Sequence, residues 1–236
     1  MKILQGLFIS LILFAVAAAA QNVASEKLPP SVQTNGDAVI TAKPDRAEID
    51  IGVVTQADSS QAAASQNAQK LETVLIKLKT LIGPNADIKT ISYSLSPNYR
   101  YPTNGGGEPT ITGYTATNVI RVTLDDLAQV GKVIDAATSS GANRIQSLNF
   151  TLKNSDAVEA QALTQAAAEA RKKADTLAAA LNLRIVRVLS VSESSPVVVP
   201  VRGVAYARAE SASTPIEPGT LEVRANVSLV VEIAPR

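Results

Sequence analysis

Three stretches of helical periodicity stand among uneven groups of alternating ones, and that spacing limits the folds open to this chain. In Ser59–Ile82, Leu71, Val74, Leu75, Leu78 and Leu81 recur every three or four residues, and Gly83-Pro84 stops the run. Asp125–Ser139 carries Leu127, Val130, Ile134 and Ala137 on one face and ends before Gly141. Asn154–Leu181 is the longest, with a capping box predicted from Asp156 to Glu159. Its stripe of Ala162, Ala166, Ala170 and Ala174 is small enough for another backbone to approach closely. Around the helices lie strands. Val32–Gly36 and Ala38–Lys43 are predicted to be joined by a tight turn at Asn35-Gly36-Asp37. After a Pro44-Asp45 break comes Arg46–Thr55, where Ala47, Ile49, Ile51 and Val53 alternate with Glu48, Asp50 and Gly52. Ile88–Leu95 and Thr110–Leu124 read as a hairpin with a wide tip over Ser96–Pro109. Arg144–Leu152, Arg184–Val191 and Leu221–Ile233 complete the set. Helices that separate groups of strands, rather than alternating with single ones, predict an α+β fold of largely antiparallel sheets covered by three helices. One integrated unit and two packed halves both satisfy this order.

The start of the chain reads as a targeting segment. Lys2 supplies a positive charge, Leu7–Ala20 is apolar except for Ser10, and Ala18-Ala19-Ala20 offers a small-residue cleavage site. The run is short of the ~20 residues a membrane-spanning helix needs. The expectation is therefore a signal peptide over 1–20, a linker over 21–30 and one domain over 31–236. The mature protein is then periplasmic, outer-membrane associated or secreted, and does not span the membrane.

Composition narrows the chemistry. The chain has no Cys, no His and no Trp, which excludes Ser-His-Asp and Cys-His catalysis, His- or thiolate-held zinc and thiol redox work. Its only Met is residue 1. Charges balance, 22 basic against 21 acidic over 236 residues, so the basic footprint of a nucleic-acid binder is missing. The remaining clusters have ordinary readings. Glu48 and Asp50 share a strand face that reads as solvated; Asp125-Asp126 reads as a helix cap. Arg171-Lys172-Lys173, flanked by Glu169 and Asp175, reads as a solvated helix face, and Gly105-Gly106-Gly107 lacks the ending of a phosphate loop. A hydrolase built on Glu48, Asp50 or Asp125-Asp126 is the minor alternative. The residues thus predict no enzyme: no catalytic, cofactor-binding or metal site.

Two segments invite an interaction reading. Ser192–Thr220 is predicted as a long loop with four prolines, yet it carries Val197, Val198, Val199, Val201, Val204 and Tyr206. A structureless loop of that length is uncommon in a compact domain. Its valines bury against another subunit or its own domain, or else the segment is a tether. Tyr99 and Tyr101 occupy the hairpin tip, either for recognition of an envelope ligand or packed back on the sheet.

Several pieces in order resemble the SIMPL-domain family. They are Ala42-Lys43-Pro44-Asp45-Arg46-Ala47, Asp87-Ile88-Lys89-Thr90 with Tyr93-Ser94-Leu95-Ser96-Pro97, and Thr110-Ile111-Thr112-Gly113-Tyr114. Gly141-Ala142-Asn143, Arg171-Lys172-Lys173-Ala174 and Ile216-Glu217-Pro218-Gly219 follow. The resemblance implies an exported envelope protein without established catalytic residues. Relatives are variously antigenic, linked to oxidative-stress defence, or assembled as a ring-like or channel-like homo-oligomer. It thus implies a homo-oligomeric scaffold. With no Cys or His, any protective role is indirect, through the envelope.

Overall fold

The computed structural model describes residues 29–102, 107–201 and 214–236. The fold is α+β, with two antiparallel sheets, each carrying helix on one face. The first sheet has the order β1-β7-β6, formed by Ser31–Ala42 (β1), Thr220–Pro235 (β7) and Leu183–Val201 (β6). The second has the order β3-β4-β2-β5, formed by Asp87–Arg100 (β3), Thr110–Leu124 (β4), Arg46–Ala57 (β2) and Arg144–Thr151 (β5). The first sheet is thus made from the two ends of the chain, and the second lies between them in sequence.

The alternation seen in β2 does what such a pattern dictates. Ala47, Ile49, Ile51 and Val53 are fully buried beneath helices α1 (Ser60–Ile82) and α2 (Val130–Ser139), joining Leu71, Val74, Leu78, Ile120, Val122 and Val133 in one core. Ser59 caps α1 by accepting from the Ala62 amide at 3.2 Å. Asp126 caps the 3-10 turn Leu127–Gln129 that leads into α2, accepting from Ala128 at 3.0 Å.

Helix α3 (Asp156–Ala180) covers the first sheet with its alanine stripe. Ala162, Ala166, Ala170, Ala174 and Ala178 are buried against alternate residues of β7, among them Val223, Ala225, Val227, Leu229 and Val231. The close approach expected of that stripe is therefore made within the chain. It explains the first correction. Asn35-Gly36-Asp37 is not a turn but the middle of a continuous β1, opposite Ser228, Val227 and Asn226. The glycine is there because a Cβ would overlap the Ala166 carbonyl oxygen and the Ala170 amide of α3. Thr34 completes the contact, its hydroxyl donating to the Ala170 carbonyl at 2.8 Å.

Three further expectations are corrected. The box from Asp156 to Glu159 does not form; Asn154 Oδ1 instead accepts from the Asp156 amide at 2.9 Å, and Ser155 makes no side-chain cap. The hairpin strands extend to Arg100, past the expected end at Leu95. Strand β6 runs on to Val201, so Ser192–Val201 is not loop. In both extensions the prolines are compatible with strand because β3 and β6 are edges: Pro97 and Pro200 lie in edge strands, and Pro196 falls in a bulge between Ser194 and Val197.

Candidate functional site

Of the pieces that carry the family resemblance, those with Asp45, Asn143 and Lys173 turn out to tie backbone together. Asp45 stands where the chain crosses from the first sheet to the second. Its amide donates to the Thr151 carbonyl at 3.2 Å and its carboxylate accepts from the Lys153 amide at 2.6 Å. The outgoing crossing is thereby clasped to the return crossing after β5. Arg46 and Lys153 both reach Asp125, at 2.9 and 2.6 Å. Hydrogen bonds from Arg46 and then Lys153 pull the Asp125 carboxyl down to about 2. Asn143 mimics a strand residue, accepting from the Val54 amide and donating to the Val54 carbonyl, each at 2.8 Å. Ile216 packs against the core under α1 and α2.

Of the two carboxylates of β2, Glu48 is partly exposed but Asp50 does not lie on a solvated face. Asp50 is only 5% exposed. Arg121, opposite it in β4, grips it with two hydrogen bonds of 2.8 and 3.0 Å, and the Ser147 hydroxyl of β5 donates at 2.7 Å. The Arg121 hydrogen bonds hold the Asp50 carboxyl below its ordinary value, with Ser147 adding and burial opposing. Glu48 shares Arg121 at 3.2 Å. Hydrogen bonds from β4 and β5 to the one Asp50 carboxylate of β2 make it a cross-strand brace. Among the described residues no group of three or more acidic side chains is placed to hold a metal ion. Asp125 and Asp126 part company, one to the crossing and one to the cap.

The basic cluster on α3 is likewise divided. Arg171 pairs with Asp175 along the helix at 3.2 Å, the solvated face expected. Lys173 pairs with Glu169 at 2.8 Å, and this pair reaches the free edge of β1. Glu169 accepts from the Asp37 amide at 2.9 Å, and Lys173 donates to the Asn35 carbonyl at 2.8 Å. Side chains of α3 thus stand in for a neighbouring strand and blunt that edge.

The other edges carry apolar side chains into solvent. In β3, Tyr93, Leu95 and Tyr99 alternate on the face that carries α1, beyond the cover of that helix, with Ile111 opposite Tyr99. Tyr99 and Tyr101 are 51% and 70% exposed, so neither packs back on the sheet. Their exposed companions Tyr93, Leu95 and Ile111 were not singled out as an interaction surface; all three lie inside the predicted strands, and only the extension of β3 past Leu95 joins them to Tyr99 in one stripe. In β6, Val186, Val188, Leu189 and Val191 are exposed in the same way, Val191 by 60%. Of the segment proposed for subunit contact, Val198 packs into the core beneath α3, while Val197 is 58% exposed and Val201 is exposed. Val199 is partly buried. Val204 and Tyr206 lie outside the described residues.

The SIMPL family profile, described as a protein of unknown function (DUF541), matches residues 32–231. The chain belongs to the SIMPL family. The 26 kDa periplasmic immunogenic protein of Brucella melitensis is 33% identical over 228 residues, spanning 93% of this chain and 91% of the relative. Two uncharacterized proteins named YggE are more distant. That of Edwardsiella ictaluri is 26% identical over 181 residues, 76% of this chain and 75% of the relative. That of Escherichia coli K12 is 27% identical over 162 residues, 69% and 65%. No described helix is long and apolar enough to cross a membrane.

Proposed function

We propose that this SIMPL protein is a periplasmic, non-enzymatic envelope scaffold that works as an assembly of identical copies joined through the exposed strand edges. The observation that carries the reading is β6, an edge strand of the first sheet with Val186, Val188, Leu189, Val191 and Val197 in solvent. An edge of that length and character is a template for pairing and is rarely left open in a monomer. The alanine stripe of α3 no longer supports assembly, since the chain's own sheet occupies it. The periplasmic setting and the role in the envelope draw on the Brucella relative's name and on the apolar leader; protection from oxidants would follow indirectly. Light scattering on the chain from Gln21 is expected to give a stable multimer across a wide concentration range. Glu at Val191 and Val197 together is expected to dissociate it while leaving the circular dichroism spectrum unchanged. A monomeric wild-type chain would overturn the reading.

A second reading has its own observation, the tyrosine-bearing arm of β3 and β4. Exposed tyrosines offer broad, rigid contact area and a hydroxyl for hydrogen bonding. On this reading the protein is a monomeric module holding an envelope ligand at Tyr99 and Tyr101. Replacing both with Ala is expected to abolish retention of envelope fragments by a folded chain; unchanged retention would exclude it.

A further inference from the structure

Where the two halves of the fold meet, a groove of about 640 Å³ opens, within the size range of ligand sites. One wall is β5, through Leu148, Asn149, Phe150 and Thr151; the other is the end of β6, through Val198, Pro200 and Val201. Glu48, Glu217–Gly219 and Leu221 complete the described lining. Both walls are sheet edges: β5 ends the second sheet and β6 the first. An edge strand leaves every second pair of main-chain N–H and C=O groups without a sheet partner, which is what an added extended segment uses; Pro200 has no N–H to offer, so β5 is the edge with both groups here.

Among the described residues the charges in this space have one sign: both ionisable side chains of the described lining are carboxylates, Glu48 and Glu217, with no described Lys or Arg beside them. Arg121 takes part of the Glu48 charge at 3.2 Å. Among the described residues Glu217 is exposed and has no ion pair. The rest of the described lining mixes apolar side chains, from Leu148, Phe150, Val198, Pro200, Val201 and Leu221, with the polar Asn149 and Thr151. An anionic glycan or phosphate is repelled here, and a neutral lipid tail would strand the carboxylates. We propose that the groove is a docking site for an extended peptide segment of another envelope protein, with apolar side chains alternating with Lys or Arg. The apolar residues would lie against Phe150 and Val201, the cations against Glu217 and Glu48, and the peptide backbone along a strand edge. The groove takes the last residues of β6, next to the valines invoked for self-assembly, and the two readings are told apart by their readouts, peptide titration here and solution mass there.

The test is calorimetric titration of the full mature chain with acetyl-Val-Lys-Val-Arg-Val-Lys-amide, compared with acetyl-Val-Glu-Val-Glu-Val-Glu-amide and with spermidine. The expected result is saturable binding of the cationic peptide alone. Binding should weaken at least tenfold in Glu217→Lys and less in Glu217→Gln, with amide shifts at Asn149, Phe150 and Gly219 in ¹⁵N spectra. No binding of the cationic peptide, equal binding of the acidic peptide, or equal affinity for spermidine would overturn the proposal. So would binding indifferent to Glu217→Lys, which would place the peptide elsewhere. Binding seen only after residues 202–213 are replaced by a Gly-Ser linker would make the chain's own segment the occupant and would equally overturn it.

Discussion

Gly36 shows how one residue can read as one thing and act as another. Asn-Gly-Asp between two apolar runs is a strong hairpin signal, and nothing local distinguishes it from a strand interior. What decides is 130 residues away in sequence, the backbone of α3 at Ala166 and Ala170, which leaves no room for a Cβ. Gly36→Ala is therefore expected to cost about 3 kcal/mol by pushing α3 off β1, measured by urea unfolding. A cost under 0.5 kcal/mol would mean that the helix yields freely. Asp50 makes a similar point about charge. Its carboxylate is buried among Arg121 and Ser147, so Asp50→Ala leaves a guanidinium with only Glu48 to answer it. The expected loss is about 2 kcal/mol, read from the same unfolding curves, with far less from an exposed carboxylate such as Asp58.

At the level of elements, what could be read from the sequence depended on whether the deciding interaction was local. Helix α1 was legible almost to the residue because its stripe, its Ser59 cap and its Gly83-Pro84 stop are all in one window. Strands β3 and β6 read as too short because proline argues against a strand only if its missing N–H would have faced a partner, and edge position cannot be known in advance. The hairpin tyrosines were legible as a cluster but not as part of a longer apolar stripe, for the same reason. The fate of the β1 edge was not legible at all: Glu169 and Lys173 look like an ordinary i,i+4 pair until α3 is laid beside Asn35 and Asp37. That pair makes the edges of the first sheet unequal, one closed by α3 and one, β6, open. Replacing both by Ala is expected to free the Asp37 amide and Asn35 carbonyl. Hydrogen exchange at Asp37 should quicken roughly tenfold, and the solution mass should begin to rise with concentration as the new edge finds partners. Unchanged exchange at Asp37 would show that the side chains do not hold that edge.

At the scale of the whole molecule, two sheets with separate cores are held together largely where the chain passes between them. The packing of α1 and α2 serves one core, and that of α3 the other. The joint has its own polar set: Asp45 clasping Thr151 and Lys153, and Asp125 holding Arg46 and Lys153. Such a joint is sensitive to acid in a direction that follows from linkage. Asp125 titrates at about 2 in the folded protein against an ordinary 3.8, so between those values the unfolded chain binds the extra proton. Stability from this group is complete above about pH 5 and is lost as pH falls through the interval from about 4 to 2. Asp50, held low by Arg121, and Glu169, held low by Lys173 and the Asp37 amide, shift in the same direction. The melting temperature is therefore expected to be level from pH 7 to pH 5 and to fall steeply below pH 4. In Asp125→Asn the neutral-pH value should already be lower and the acid fall shallower, because the proton that breaks the joint no longer has a carboxylate to occupy. Hydrogen exchange identifies where the loss begins: the Lys153 amide should open before the amides of β2 and β7. If β2 and β7 opened together with it at every pH, the two cores would be one cooperative unit and the joint would carry no separate share of the stability.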